Sequence, residues 1–222
     1  MRSWKCSVWA CMLLFAGCKN DNSVSALIEK PVTTRPIVAV VPVMDQSRHE
    51  LSWNVSQELT SAIRGRLAQH GSLYLLSEDQ VYEMTRKSNQ KSDSGRDPFS
   101  METAWIKKGY PGNEFVAFFE LLDHHELSIA SPNSTQEESP AELTLSMRVR
   151  VFDLRGEAPK IVLEEVAQQS HHIPKQFTKS QFNQVPWGDE MFDISPLGIA
   201  HQKLCQELAS RVEDYILESC KH

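Results

Sequence analysis

The sequence predicts an α/β protein of α+β character, with a mixed sheet of about five strands and helices packed on it. Three observations carry that prediction. Short apolar runs at 37–43, 73–76 and 114–122 are separated by segments whose apolar residues recur every three or four positions. Residues 142–151 instead alternate strictly, apolar against polar. Ser195-Pro196 then opens a long segment with a helical stripe.

The elements follow in order. "IVAVVPV", 37–43, is nearly all apolar, as expected of a strand covered on both faces, and Pro42 interrupts it near its end. Val55, Leu59, Ile63 and Leu67 recur at i+4 and predict a helix, with Ser52 as N-cap and Gly71 as the residue that ends it. "SLYLLS" is the second strand. Ser77-Glu78-Asp79-Gln80 is a capping-box pattern with acids in the first turn, so a second helix starts there, carrying Val81, Met84 and Tyr82 inward. Residues 88–98 are a loop by composition, and 100–108 form a short helix closed by Gly109. "EFVAFFELL", 114–122, is a third buried strand, and residues 130–140 are an exposed loop.

In "ELTLSMRVRVFDL" Leu143, Leu145, Met147, Val149 and Val151 share one face, with Thr144, Ser146, Arg148 and Arg150 on the other. Arg155-Gly156 turns the chain back into a hairpin partner, "KIVLEEVAQQS". Residues 174–196 have no regular period. Ala200, Leu204, Leu208, Val212 and Ile216 form the stripe of the last helix, with Pro196 at its first position. Strands joined through helices imply parallel neighbours at the start; the hairpin implies antiparallel ones later.

The amino terminus addresses the chain to an envelope. Arg2 and Lys5 precede an uncharged, mostly apolar run from Cys6 to Ala16. At about eleven residues it is too short for a membrane-spanning helix, which needs roughly 20, and it has a signal-peptide layout. Phe15-Ala16-Gly17-Cys18 resembles the bacterial lipobox, with Phe15 where leucine is usual and Leu14 one place early. The resemblance implies cleavage before Cys18 and lipidation of Cys18 on sulfur and on the new amino terminus. Several buried acyl chains anchor stably where one does not. Lys19 leans toward the outer membrane by the sorting pattern of such lipoproteins, with the inner membrane as the alternative. An ordinary secreted protein is the rival reading.

With residues 1–17 removed, 21 basic face 29 acidic residues, a formal charge of about −8. That balance argues against a nucleic-acid partner, whose phosphates are neutralised by Lys and Arg. The expected organisation is a signal peptide at 1–17, a lipidated cysteine and polar tether at 18–35, and one α/β domain at 36–222. Cys205 and Cys220 fall in one predicted helix, roughly 22 Å apart at ~1.5 Å per residue, too far to bridge.

"RPIVAVVPVMDQS…WNVSQELTSAIRGRLAQHGSLYLLSEDQVYEM" resembles a group of bacterial envelope lipoproteins. It looks like the Tol-system N-terminal domain, the curli secretion lipoprotein and the penicillin-binding-protein activator lipoproteins. The likeness covers Arg35 to Met84 well and the remainder only in element order. The whole chain also looks like uncharacterised lipoproteins of chlamydial type. The resemblance implies a binding or assembly scaffold with no catalytic residues.

Several residue groups would carry chemistry if the fold brought them together. His124-His125-Glu126 and His171-His172 have zinc-ligand chemistry, but neighbours on a strand face opposite ways, so each pair offers one ligand. Asp45, Asp123 and Asp153 sit at predicted strand exits, where carboxylates serve either acid–base work or turns. Arg148, Arg150 and Lys160 share a hairpin face that would bind a polyanion or simply be solvated. Phe177, Phe182, Trp187 and Phe192 lie in the irregular segment and are the candidate partner-contact residues, unless they fold back over the sheet edge. Asn54-Val55-Ser56 and Asn133-Ser134-Thr135 match the glycosylation sequon, which a bacterial lipoprotein does not use.

The sequence therefore predicts an outer-membrane lipoprotein facing the periplasm, anchored at Cys18. Its expected role is non-catalytic docking to another envelope protein in transport, secretion or cell-wall assembly, without a cofactor. A metal-dependent enzyme built on the paired histidines and an oligomeric secretion-pore component are the alternatives.

Overall fold

The computed structural model describes residues 35–90, 96–129, 139–177 and 185–221. The signal peptide, Cys18, the tether and Phe182 lie outside the described residues. In chain order the elements are β1 (Ile37–Val40), β2 (Met44–Asp45), α1 (Val55–His70), β3 (Tyr74–Leu75) and α2 (Glu78–Asn89). Then come α3 (Ala104–Gly109), β4 (Phe115–Ser128), β5 (Ala141–Asp153), β6 (Lys160–Ile173) and α4 (Pro196–Ser219).

The sheet is mixed and ordered β3-β1-β4-β5-β6, with β2 also paired to β4. β1 runs parallel to β3 and β4, while β4, β5 and β6 form a long antiparallel meander. The sixth strand comes from Pro42. Val41 N still donates to Ala117 O at 3.0 Å, but Pro42 has no N–H to give, so the run breaks and resumes as β2.

Side-chain alternation sorts the residues between two layers of helix. Val38 and Val40, then Phe115, Ala117, Phe119 and Leu121, then Leu143 to Val151 at every second position, pack with α1 and α4. Ala39, Val41, Val116, Phe118 and Phe152 pack on the other face with Val81 of α2 and Ile106 of α3. Burying each large apolar side chain contributes about 1.5–3 kcal/mol.

The caps explain where the helices start. Asn54, rather than Ser52, caps α1, its side chain accepting from Gln57 N; Gly71 ends the helix in the left-handed region at φ 65°. Ser77 and Gln80 form a reciprocal capping box on α2. Ser195 caps α4, with Pro196 next. Tyr82 differs from its expected inward position: it is 60% exposed. Among the described residues no helix is long and apolar enough to cross a membrane.

β4 extends past the predicted run to Ser128, and Leu122 is a bulge. Leu121 pairs with Met147 and Asp123 with Ser146, so one residue is left over. That extra residue shifts every later side chain of β4 to the opposite face.

Candidate functional site

A cleft of about 650 Å³ opens at the carboxyl end of β1. The chain leaves β1 toward β3 on one side and then returns through α2 and α3 to β4 on the other. Crevices outside the carboxyl ends of strands at such switch points are where α/β sheets hold ligands. Its floor is Val41, Val43, Phe118 and Trp105; its walls are Tyr82, Thr85, Arg86 and Asn89 of α2 and the strand of chain carrying Arg96 and Pro98.

The aromatic floor is interlocked. Phe118 meets Trp105, Tyr110 and Phe152 edge-on, with centroids 6.2, 5.6 and 5.9 Å away. The Tyr110 hydroxyl lies 3.1 Å from Thr85 Oγ1, and burial pushes its pKa up to about 12. Arg96 donates to Ser88 O and Ser88 Oγ at 3.0 and 3.2 Å and lies over the Trp105 ring at 5.6 Å. Arg86 pairs with Glu83 at 2.8 Å on the solvent side.

The arginines of the hairpin face are tied down by protein groups, in place of the solvated or polyanion-binding face that the sequence suggests. Arg150 is buried; it donates to Pro98 O and Ser100 O, both at 2.9 Å, and pairs with Glu164. Arg148 donates to Glu120 and lies over the Phe99 ring at 4.1 Å. Together they hold the segment that presents Arg96 against the sheet. Lys160 sits apart, opposite Asp153 at the start of β6.

The histidines gather differently from the predicted pairs. Because of the Leu122 bulge, His124 faces the α1–α4 layer with Leu145, while His125 faces outward and meets Asp123 at 2.6 Å. His171 pairs in register with Leu143 and His172 with Glu142, so that pair also splits between faces. Glu126 sits opposite Leu143. Desolvation and Lys203 hold the His171 pKa below its usual value.

What meets His124 is His201 of α4, Nε2 to Nε2 at 2.9 Å. Glu58 of α1 accepts from His201 Nδ1 at 2.6 Å and, through its other oxygen, from Trp53 Nε1 at 2.8 Å. The His49 ring stacks on His124 at 4.6 Å. His124 Nδ1 is buried and has no hydrogen-bond partner among the described residues. This buried chain ties the 46–54 turn, α1, α4 and β4 to one another. Among the described residues no group of three or more His, Cys, Asp or Glu side chains is placed to hold a metal.

Burial, then the neighbouring His201 and His49, push the His124 pKa down to about 3 from 6.5. The folded protein therefore takes up no proton there while the unfolded chain does, from about pH 6.5 downward. The stability held by neutral His124 is fully present above pH 6.5 and falls as the pH drops, by about 2 kcal/mol at pH 5. Urea midpoints at pH 7 and 5 check this: wild type loses more on acidification than His124→Leu does.

The predicted contact aromatics separate as well. Phe177 is 37% exposed. Trp187 is half-buried against the main core. Phe192 is a core residue and not a surface contact: it is 1% exposed and packs edge-on against Trp53 and His201. The short turns from 185 to 195 fold it inward ahead of α4.

Two of the three aspartates serve the backbone, while Asp123 meets the His125 ring. Asp45 accepts from Ser47 N at 2.9 Å, and Asp153 accepts from Arg155, which holds its pKa below the usual range despite partial burial. Cys205 is buried, its thiol pushed up by desolvation, and Cys220 is exposed; both are free.

A model of DUF7499, a family of unknown function, matches residues 28–220. No curated protein matches the chain. Among solved structures it is similar to hypothetical protein CT253 from Chlamydia trachomatis, at 23% identity over 82% of this chain and 98% of that one, with a TM-score of 0.62. It is also similar to lipoprotein GNA1162 from Neisseria meningitidis, at 14% identity over 82% and 99%, TM-score 0.43. The LpoB C-terminal domain from Salmonella enterica matches at 15% identity over 63% and 86%, TM-score 0.37. The chlamydial structure shares the fold; the other two are too distant to carry an argument.

Proposed function

The chain belongs to the DUF7499 family, and from that premise we propose that it is a lipid-anchored envelope protein that docks another protein and has no chemistry of its own. The observation that carries the docking role is the cleft. Its lining combines a rigid aromatic floor with guanidinium and amide groups at the rim, the composition of a recognition site. The Tyr110 hydroxyl in its lining is held by Thr85 and pushed away from ionisation, so it is a poor nucleophile or base at neutral pH.

The anchor rests on Phe15-Ala16-Gly17-Cys18. Acylation there places the domain on a membrane, with the outer membrane, periplasmic side, favoured by Lys19. Intact mass and detergent partitioning of the expressed full chain test this. Wild type should lack residues 1–17, carry added acyl mass and sediment with membranes. Cys18→Ala should abolish both the added mass and the sedimentation. An unmodified, soluble wild type would overturn the anchored reading.

A further inference from the structure

We propose that the cleft over β1 takes an acidic peptide segment of a protein partner, with a carboxylate on Arg96 and Arg86 and an adjoining aromatic or branched apolar side chain on the Trp105–Phe118 floor. This rests on the docking reading and names its partner's chemistry.

Charge complementarity carries it. The whole chain is net acidic, at −6, yet among the described residues the cleft lining contains two arginines and no aspartate or glutamate. Arg86 already has Glu83 beside it. Among the described residues the contacts of Arg96 are Ser88 and the Trp105 face, neither of them a carboxylate. A guanidinium held through one nitrogen over an indole face leaves its other N–H groups to donate, and the planar fork they form is the geometry that donates to a carboxylate by two bonds. Arg150, anchoring Pro98 and Ser100, keeps the segment bearing Arg96 in place before anything binds.

The rest of the lining separates a peptide from an acyl chain. Asn89 and Gln90 stand at the rim beside Arg86, and each side-chain amide offers both a donor and an acceptor. A peptide backbone uses both; a fatty acid has only its head group to offer them. The volume, about 650 Å³, lies within the roughly 300–1,000 Å³ of ligand clefts.

The test is selection of a random seven-residue peptide library on the protein as expressed from the full chain and purified in detergent, with laurate binding read in parallel from Trp105 fluorescence in a variant whose other tryptophans are phenylalanine. The expected result is enrichment of Asp or Glu within two positions of Phe, Trp, Leu or Ile. Arg96→Gln should then weaken the best peptide about tenfold, the usual loss when one partner of a charge-assisted pair is removed. Replacing the peptide's acid by its amide should cost as much in wild type and nothing further in Arg96→Gln. Arg96→Lys and thermal melts of each variant separate lost binding from lost folding, and Arg86→Gln gives a second reading at a surface position.

Enriched peptides without acids, or insensitive to both arginine variants, overturn the proposal while leaving docking intact. Saturation by laurate with no peptide enriched makes the occupant an acyl carboxylate and also overturns it. No peptide enriched and no laurate response overturns the docking reading along with it.

Discussion

Glu58→Ala lowers the stability of the folded domain by about 3–5 kcal/mol, the cost of stranding two buried hydrogen-bond donors and opening a cavity beside them. Glu58 is 2% exposed on α1 and accepts two hydrogen bonds, from His201 and Trp53. Alanine strands both donors inside the protein, each at about 1–3 kcal/mol, and leaves space behind. Glu58→Gln keeps the volume but offers one acceptor where two donors converge, so its cost should be smaller, about 1–3 kcal/mol. Urea unfolding at pH 7 measures both. A double-mutant cycle with His201→Ala should show coupling of about 1–3 kcal/mol, because the two residues share one interaction. Near-additive losses would mean that the Glu58–His201 bond is not formed in solution.

That buried chain also marks the boundary of what the sequence reveals. The strands, the caps at Ser77 and Ser195 and the parallel-then-antiparallel order follow from local patterns, and the structure agrees with each. The direction of His124 does not. Read in strict alternation from Phe118, it would share the outer face with Glu120. One bulged residue, Leu122, reverses that, and no local signal distinguishes a bulge from a continuing strand in "FELLDHHEL".

His201 and Glu58 did leave a trace. His201 lies four residues after Leu197 and three before Leu204, inside the apolar stripe of α4, and Glu58 adjoins Leu59 on the buried side of α1. A polar residue in a core stripe asks for a partner, but nothing in the chain order says that the partner is 143 residues away. The cleft was hidden for a related reason. Its residues come from five separate segments, and Tyr82, read as a core residue, turns out to stand at its wall. Arg96, the residue on which its recognition chemistry turns, fell in a stretch that composition marks only as loop. The Phe192 reading failed because irregular backbone gives no period from which to infer a buried face; its ring packs beside His201 instead of meeting solvent.

Gly198→Ala should cost about 3 kcal/mol, the upper end of what forced overpacking does. Glycine is a poor helix residue, and alanine at an open helical position gains about 1 kcal/mol. Gly198 sits in the first turn of α4, where its N–H donates to Ser195 Oγ at 3.0 Å and Ser195 Oγ donates to Phe192 O at 2.7 Å. A Cβ built there falls on the carbonyl of Phe192, far inside van der Waals contact, and 3.2 Å from Ser195 Oγ. The carbonyl is backbone, so no side-chain rotation relieves the overlap; the turn before α4 must move. That movement pulls Phe192 from its contacts with Trp53 and His201 and loosens the cap on the longest helix. Gly65, in the middle of α1 and exposed, has nothing within 4 Å of its Cβ position, so Gly65→Ala should instead stabilise by about 0.5–1 kcal/mol. Opposite shifts of the two melting midpoints are therefore expected. A Gly198→Ala protein as stable as wild type would mean that the turn from 189 to 195 packs differently from the structure, and the burial of Phe192 would have to be revised with it.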